Sequence, residues 1–209
     1  FAPVTMLVAG PGLLVVHPSV QAKSVRELIA LAKAKPGQLN YGSPGSGTPP
    51  HLAAELFKLL AGVDFVHVPY KGNAQALTDM IAGQVSLSFP VIPAVLQHIS
   101  GGRLRALAVT SAQRTGIMPE LPTISESGLP GYESIAWYAL VLPAGAPSNI
   151  VTRLYRDAAN ALQMPDVREQ LAAQGLDAVG SRPDQLAAAV RTEIAKWAKV
   201  VKASSARVD

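Results

Sequence analysis

Three glycine- and hydroxyl-bearing stretches carry the chemistry this chain offers. The first is Tyr41-Gly42-Ser43-Pro44-Gly45-Ser46-Gly47-Thr48-Pro49-Pro50-His51-Leu52. Its glycines let successive backbone N–H groups turn toward one point. Ser43, Ser46 and Thr48 add hydroxyls, and the helix pattern that follows places a positive dipole end beside them. Together these make a cradle for a small anion. The lysine of a nucleotide-binding P-loop is missing. Pro49 and Pro50 remove two donors from the first helical turn, so an anion here depends on the loop amides and hydroxyls. A structural reading stands beside this one, in which Thr48 is an N-cap followed by proline at the first helical position.

The second stretch is Val68-Pro69-Tyr70-Lys71-Gly72-Asn73-Ala74. Tyr70 offers a donor and an apolar wall, and Gly72 permits close backbone approach. Lys71 can attract a carboxylate, although a lone loop lysine is ordinarily solvated. The third is Ser88-Phe89-Pro90. Each stretch follows a strand pattern, and ligands of open α/β sheets bind beyond the carboxyl ends of strands. The expected ligand rim is therefore Ser43, Gly45, Ser46, Gly47, Thr48, Tyr70, Lys71, Gly72, Ser88 and Phe89. No catalytic residue, metal ligand or cofactor site is expected. His17, His51, His67 and His98 form no metal-ligand pair at helical spacing, and His67, inside a strand, reads as a packed core or rim residue. Gly45-Ser46-Gly47 is not a Gly-x-Ser-x-Gly elbow, so a hydrolase using Ser46 or Thr48 needs partners the sequence does not display.

The elements that position these loops alternate between strand and helix. Leu13-Leu14-Val15-Val16 reads as a buried strand. Ser24 and Glu27 form a capping box ahead of a helix whose apolar face is Val25, Leu28, Ile29 and Ala32. Strands are expected at 39–42, 65–68, 85–89, 104–109 and 137–142. Helices are expected on Leu52, Leu56, Leu59 and Leu60, on Leu77, Met80 and Ile81, and at 94–99, 149–163 and 165–174. A final helix carries the stripe Leu186, Val190, Ile194, Trp197 and Val201. Residues 119–131 read as a surface connection holding a second capping box, Thr123 with Glu126. This rhythm implies crossovers and mostly parallel sheets in an α/β fold.

Composition narrows the function classes. The chain has 209 residues with 49% hydrophobic and 15% charged, a globular balance. A net charge of +4 with aromatics at 5% supplies no stacking platform for nucleic acid, while leaving attraction for small anions. There is no cysteine, which excludes disulfides and thiolate chemistry. No run approaches the ~20 apolar residues of a membrane span, and no signal peptide is visible.

The loops and their surroundings resemble the receptors of tripartite tricarboxylate transporters, also called Bug-type receptors. The resemblance runs through Asn40-Tyr41-Gly42-Ser43, Gly47-Thr48, His51-Leu52-Ala53-Ala54-Glu55-Leu56, Val68-Pro69-Tyr70-Lys71-Gly72 and Ala76-Leu77-Thr78-Asp79-Met80-Ile81-Ala82-Gly83. It continues through Arg105-Ala106-Leu107-Ala108-Val109-Thr110-Ser111, Leu121-Pro122-Thr123, Gly128-Leu129-Pro130-Gly131-Tyr132, Trp137-Tyr138 and Pro143-Ala144-Gly145. It implies a type II periplasmic-binding-protein-like fold of two lobes closing over a small carboxylate, which is delivered to membrane transporter subunits. It implies a periplasmic location and no enzymatic activity. Relative to that pattern the chain lacks an N-terminal segment, so one lobe is expected to be incomplete. The expected organisation is a crossover segment at 1–17, a nearly complete ligand-binding lobe at 18–130, and part of the second lobe at 131–209. Pro90 stands where many relatives carry an acidic residue, which favours plain carboxylates over amino acids. The competing reading is a truncated interaction module that self-associates through an exposed half-cleft and has weakened or lost ligand binding.

Overall fold

The computed structural model describes residues 1–204; residues 205–209 of the expected 131–209 region lie outside the described residues. The described chain is an α/β fold with two sheets. Its contacts divide it into two compact units. The smaller comprises residues 1–10 and 136–198, and the larger residues 11–135 with 199–204.

The larger unit holds a five-stranded sheet in the order β4-β3-β5-β2-β6. These strands are β2 (Leu13–Val16), β3 (Asn40–Ser43), β4 (Val66–Pro69), β5 (Leu87–Ser88) and β6 (Arg105–Val109). β3 pairs in parallel with β4 and with β5, as the strand–helix rhythm predicts, but the sheets are mixed rather than mostly parallel. β2 runs antiparallel to both β5 and β6, so β3, β4, β5 and β6 all point one way and end on the same sheet edge. Every residue of β2 is fully buried, the pattern of a strand covered on both faces.

Helices α1 (Val25–Ala34), α2 (Pro49–Ala61), α3 (Asn73–Ile81) and α4 (Ile92–Ser100) supply the crossovers. α1 starts as expected: Ser24 Oγ accepts from Glu27 N–H at 3.2 Å, while Glu27 Oε2 takes the N–H of Lys23, one residue earlier than a strict capping box. Thr123 and Glu126 complete the full reciprocal box at 2.9 and 3.0 Å, pinning the connection after β6. One face of the sheet is filled by Leu13, Val15, Met80, Val85, Ile92, Val95, Leu104, Val109 and Met118. Phe57 on α2 lies against Phe65, Phe89 and Tyr132 with ring centroids 5.9–6.2 Å apart.

The smaller unit holds a three-stranded sheet, β7-β1-β8, built from β1 (Ala2–Pro11), β7 (Ile135–Leu142) and β8 (Asp177–Ala178). β1 occupies most of the stretch expected to be a crossover segment, and its Val8 and Ala9 pair antiparallel with Ala178 and Asp177. α5 (Ser148–Ala161) and α6 (Pro165–Ala173) belong to this unit, as does most of α7 (Pro183–Ala203). The expected stripe of α7 is only partly buried: Leu186 is covered, but Ile194 is 65% exposed and Val201 is exposed too.

Candidate functional site

All three chemistry-bearing loops sit on the shared carboxyl edge of the five-stranded sheet. Register puts them side by side: Ser43 opposes Pro69 across β3–β4, and Gly42 opposes Ser88 across β3–β5. The N–H of Tyr70 continues the ladder to Ser43 O at 2.9 Å, and Ser88 Oγ donates to Gly42 O at 2.8 Å. The structure thus brings together Ser43, Gly45, Thr48, Tyr70 and Ser88.

Most hydroxyls of the first loop are spent on the loop itself. Ser43 Oγ is buried, donates to Gly45 O at 3.1 Å, accepts from Gly45 N–H at 3.2 Å and lies 2.7 Å from His67 Nε2. Thr48 Oγ1 donates to Gly45 O at 2.7 Å and makes no side-chain cap on α2, although Thr48 occupies the N-cap position. Gly47 adopts a left-handed φ of 76°, which aims its N–H at His51 Nδ1, 2.9 Å away. Ser46 and Gly47 are exposed.

In the second loop Tyr70 is held by Asp79, its hydroxyl donating to Oδ2 at 2.9 Å. Burial, then the Asp79 hydrogen bond and charge, push the phenol up to about 12. Lys71 is exposed, and Gly72 is the N-cap of α3. In the third loop Phe89 turns away from the rim and packs on Phe57 in the core.

The helix starts at this edge share one property. α2, α3 and α4 all begin without a side-chain cap. Prolines occupy the first turns of α2 and α4, so α3, which starts at Asn73, keeps the most open amides. Around these starts lies a small pocket of about 20 Å³, enough for about one water. Pro44, Asn73, Ser88 and Pro90 stand at it, and Ala76, Leu77, Met80, Ala94 and Val95 contribute apolar surface. Partial positive charge from the helix ends suits a carboxylate group at the mouth of this pocket.

Sequence reasoning missed the layer beneath the first loop. His51 and His67 stack at 4.1 Å, and Tyr41 stacks on His67 at 4.7 Å. Tyr41 donates its hydroxyl to the buried Glu55 at 2.6 Å, and Lys58 pairs with the same carboxylate oxygen at 2.9 Å. Burial, then Glu55, hold the Tyr41 phenol far above its ordinary range. Burial lowers His51, against the opposing charge of Glu55. Burial, then the neighbouring His51, push His67 down to about 4. Asn73 was also missed. Its only sequence signal is its place directly after Gly72 at a helix start.

Among the described residues no group of three or more metal-ligating side chains occurs, and no helix is long and apolar enough to cross a membrane. The architecture is that of periplasmic solute-binding proteins. It resembles a structure from R. palustris solved with adipate (TM-score 0.89, 39% identity, covering 97% of this chain and 68% of that one). It also resembles MatC from Rhodopseudomonas palustris with bound malate (TM-score 0.87, 31% identity, 96% and 69%) and the periplasmic binding protein BugD (TM-score 0.88, 28% identity, 99% and 70%). The model of the tripartite tricarboxylate transporter family receptor matches residues 1–205, and the chain belongs to that family. The family's members are solute-binding receptors, not enzymes. Protein BugT of Bordetella pertussis is 38% identical over 206 residues, 99% of this chain and 63% of its own length. A UPF0065 protein encoded between tcbD and tcbE in Pseudomonas sp. is 37% identical over 202 residues, 96% of this chain and 60% of its own. The chain thus spans about 60% of the length of these curated relatives.

Proposed function

We propose that this chain is the ligand-holding part of a periplasmic receptor that binds a small carboxylate and presents it to a tripartite tricarboxylate-type membrane transporter. The observation that carries the reading is the meeting of three uncapped helix starts around one pocket, on the edge where β3, β4 and β5 end. In this reading the residue 18–130 region supplies most of a ligand lobe. The grip comes from the backbone N–H groups of Ser46, Gly72 and Asn73 and from water above Ser88. Ser43, Gly45, Gly47 and Thr48 shape the loop, Tyr70 walls it, and Lys71 adds charge at the rim. The relatives solved with adipate and with malate support a plain carboxylate, and so does Pro90, which offers no partner to an ammonium.

Calorimetric titration tests this. Adipate and malate should give saturable heats, and 1,6-hexanediol none. Glutamate should bind at least about tenfold more weakly, which corresponds to ~1.4 kcal/mol. A preference for glutamate, or equal binding of the diol, would refute the assignment.

A second reading, self-association, is favoured by one feature of the smaller unit. β7 is an edge strand that leaves Tyr138 and Val141 exposed, and α5 buries no residue. Sedimentation of the same samples separates the two, because this reading predicts a dimer whose population is indifferent to adipate.

A further inference from the structure

We propose that His51 and His67 are positioning residues, a stacked pair of neutral imidazoles that fixes the backbone of residues 43–48 and lets it go when His51 takes a second proton. The inference rests on the reading that this loop borders the ligand, but its geometry stands without a ligand.

Hydrogen bonding assigns the proton of His51. His51 Nδ1 accepts the N–H of Gly47 at 2.9 Å, so it carries a lone pair and the ring proton sits on Nε2. Ser43 Oγ accepts from Gly45 N–H and meets His67 Nε2 at 2.7 Å, a contact that either a Ser43 hydroxyl proton or a proton on His67 Nε2 fills. The His51 ring is thereby neutral, burial disfavours a charge on His67, and both contacts end on the loop. A second proton on His51 has only Nδ1 to occupy. There it points at the Gly47 N–H, and an acceptor becomes a second donor. The Gly47 bond is then lost, and Gly47 is the residue whose left-handed turn sets the path from Ser46 to Thr48.

The surroundings bear on the same step. The stacked rings lie 4.1 Å apart, so two imidazolium charges cannot share the site. Lys58 adds positive charge from α2, 5.8 Å from the Tyr41 ring on β3. Glu55, also on α2, opposes this with its negative charge, but its Oε1 is already shared between Tyr41 and Lys58. Burial acts in the same direction on both rings. Because the folded values are lowered, the pair's contribution to stability is complete above the unfolded value of about 6.5 and is lost as pH falls below it, the His67 part toward about 4.

The test uses the ¹⁵N-labelled chain without ligand, followed by NMR from pH 8 to pH 3.5. At pH 5.5 about nine-tenths of an ordinary imidazole is charged, whereas His67 should remain neutral and His51 should be charged to a clearly smaller fraction. The Gly47 amide should hold a constant, exchange-protected position until His51 titrates, then move and lose protection with the same midpoint. H51N offers Oδ1 near the place of Nδ1. It should keep Gly47 protected and abolish the pH dependence. H51L should leave Gly47 unprotected at every pH. If H51L does not fold, H51N and the unsubstituted chain decide. The proposal is overturned if His51 titrates near 6.5, if Gly47 is unmoved through the His51 transition, or if H51L protects Gly47 as well as histidine does. Failure of carboxylate binding would leave all of these readouts intact.

Discussion

Replacing Phe57 with alanine should cost about 3–5 kcal/mol of folding stability, the range for emptying a buried aromatic site. Phe57 is fully buried and meets three rings from three parts of the larger unit. Phe65 precedes β4, Phe89 follows β5, and Tyr132 comes from the connection before β7. Tyr132 also donates its hydroxyl to Ala53 O on α2 at 3.0 Å, so the cavity would loosen that anchor as well. Set against a typical domain stability of about 5–15 kcal/mol, the loss leaves the unit marginal. Urea unfolding followed by circular dichroism measures it. A cost below about 1 kcal/mol would mean that the aromatic cluster does not hold α2, and with it the first loop, against the sheet. F57L keeps most of the volume and should recover more than half of the loss.

The second large effect is expected at Thr110. Its side chain is buried just beyond β6, and Oγ1 is the hub of three contacts. It accepts the N–H of Gly12 at 2.7 Å, and its proton lies within reach of Ser134 O at 2.6 Å and Gly12 O at 3.2 Å. Main-chain bonds from Thr110 N–H to Gly12 O and from Ser134 N–H to Thr110 O bracket the same point. One hydroxyl therefore fixes the start of β2 and the segment before β7. Those lie at two of the three places where the chain passes between the units. T110V has nearly the same shape but strands a buried N–H and a carbonyl. At about 1–3 kcal/mol per unsatisfied group, the expected loss is about 2–4 kcal/mol. T110S keeps the hydroxyl and should lose about 1 kcal/mol for the methyl group. Equal stability of T110V and the parent chain would show that this hydroxyl holds nothing.

Much of the larger unit is legible in the sequence because its elements follow simple periodicities. Leu13-Leu14-Val15-Val16 reads as a strand buried on both faces, and it is one. The loops after β3, β4 and β5 read as neighbours on one edge, and register makes them so. α2 shows where such reading stops. Its leucines suggest a face of Leu52, Leu56, Leu59 and Leu60, yet Leu59 and Leu60 are exposed while His51 and Glu55 are buried. Hydrophobic periodicity cannot find a face whose buried members are polar and satisfied by one another. β1 was hidden differently. Pro3, Gly10 and Pro11 punctuate it, and Thr5 interrupts its apolar run, so it reads as a connection. Its partner β8 is two residues long and carries no pattern at all. Phe89 was placed on the rim because it follows Ser88. The one-residue alternation of a strand sends it to the opposite face, onto Phe57.

The central claim is that a carboxylate sits where the three uncapped helix starts meet. Its most direct test is an amide chemical-shift map of the ¹⁵N-labelled chain titrated with adipate, with 1,6-hexanediol as the uncharged control. The account predicts saturable shifts concentrated on Ser46, Gly72, Asn73, Ala74 and Ser88, absent with the diol, and small on residues of β1 and β8. Saturable shifts centred elsewhere, with these amides unmoved, would contradict it.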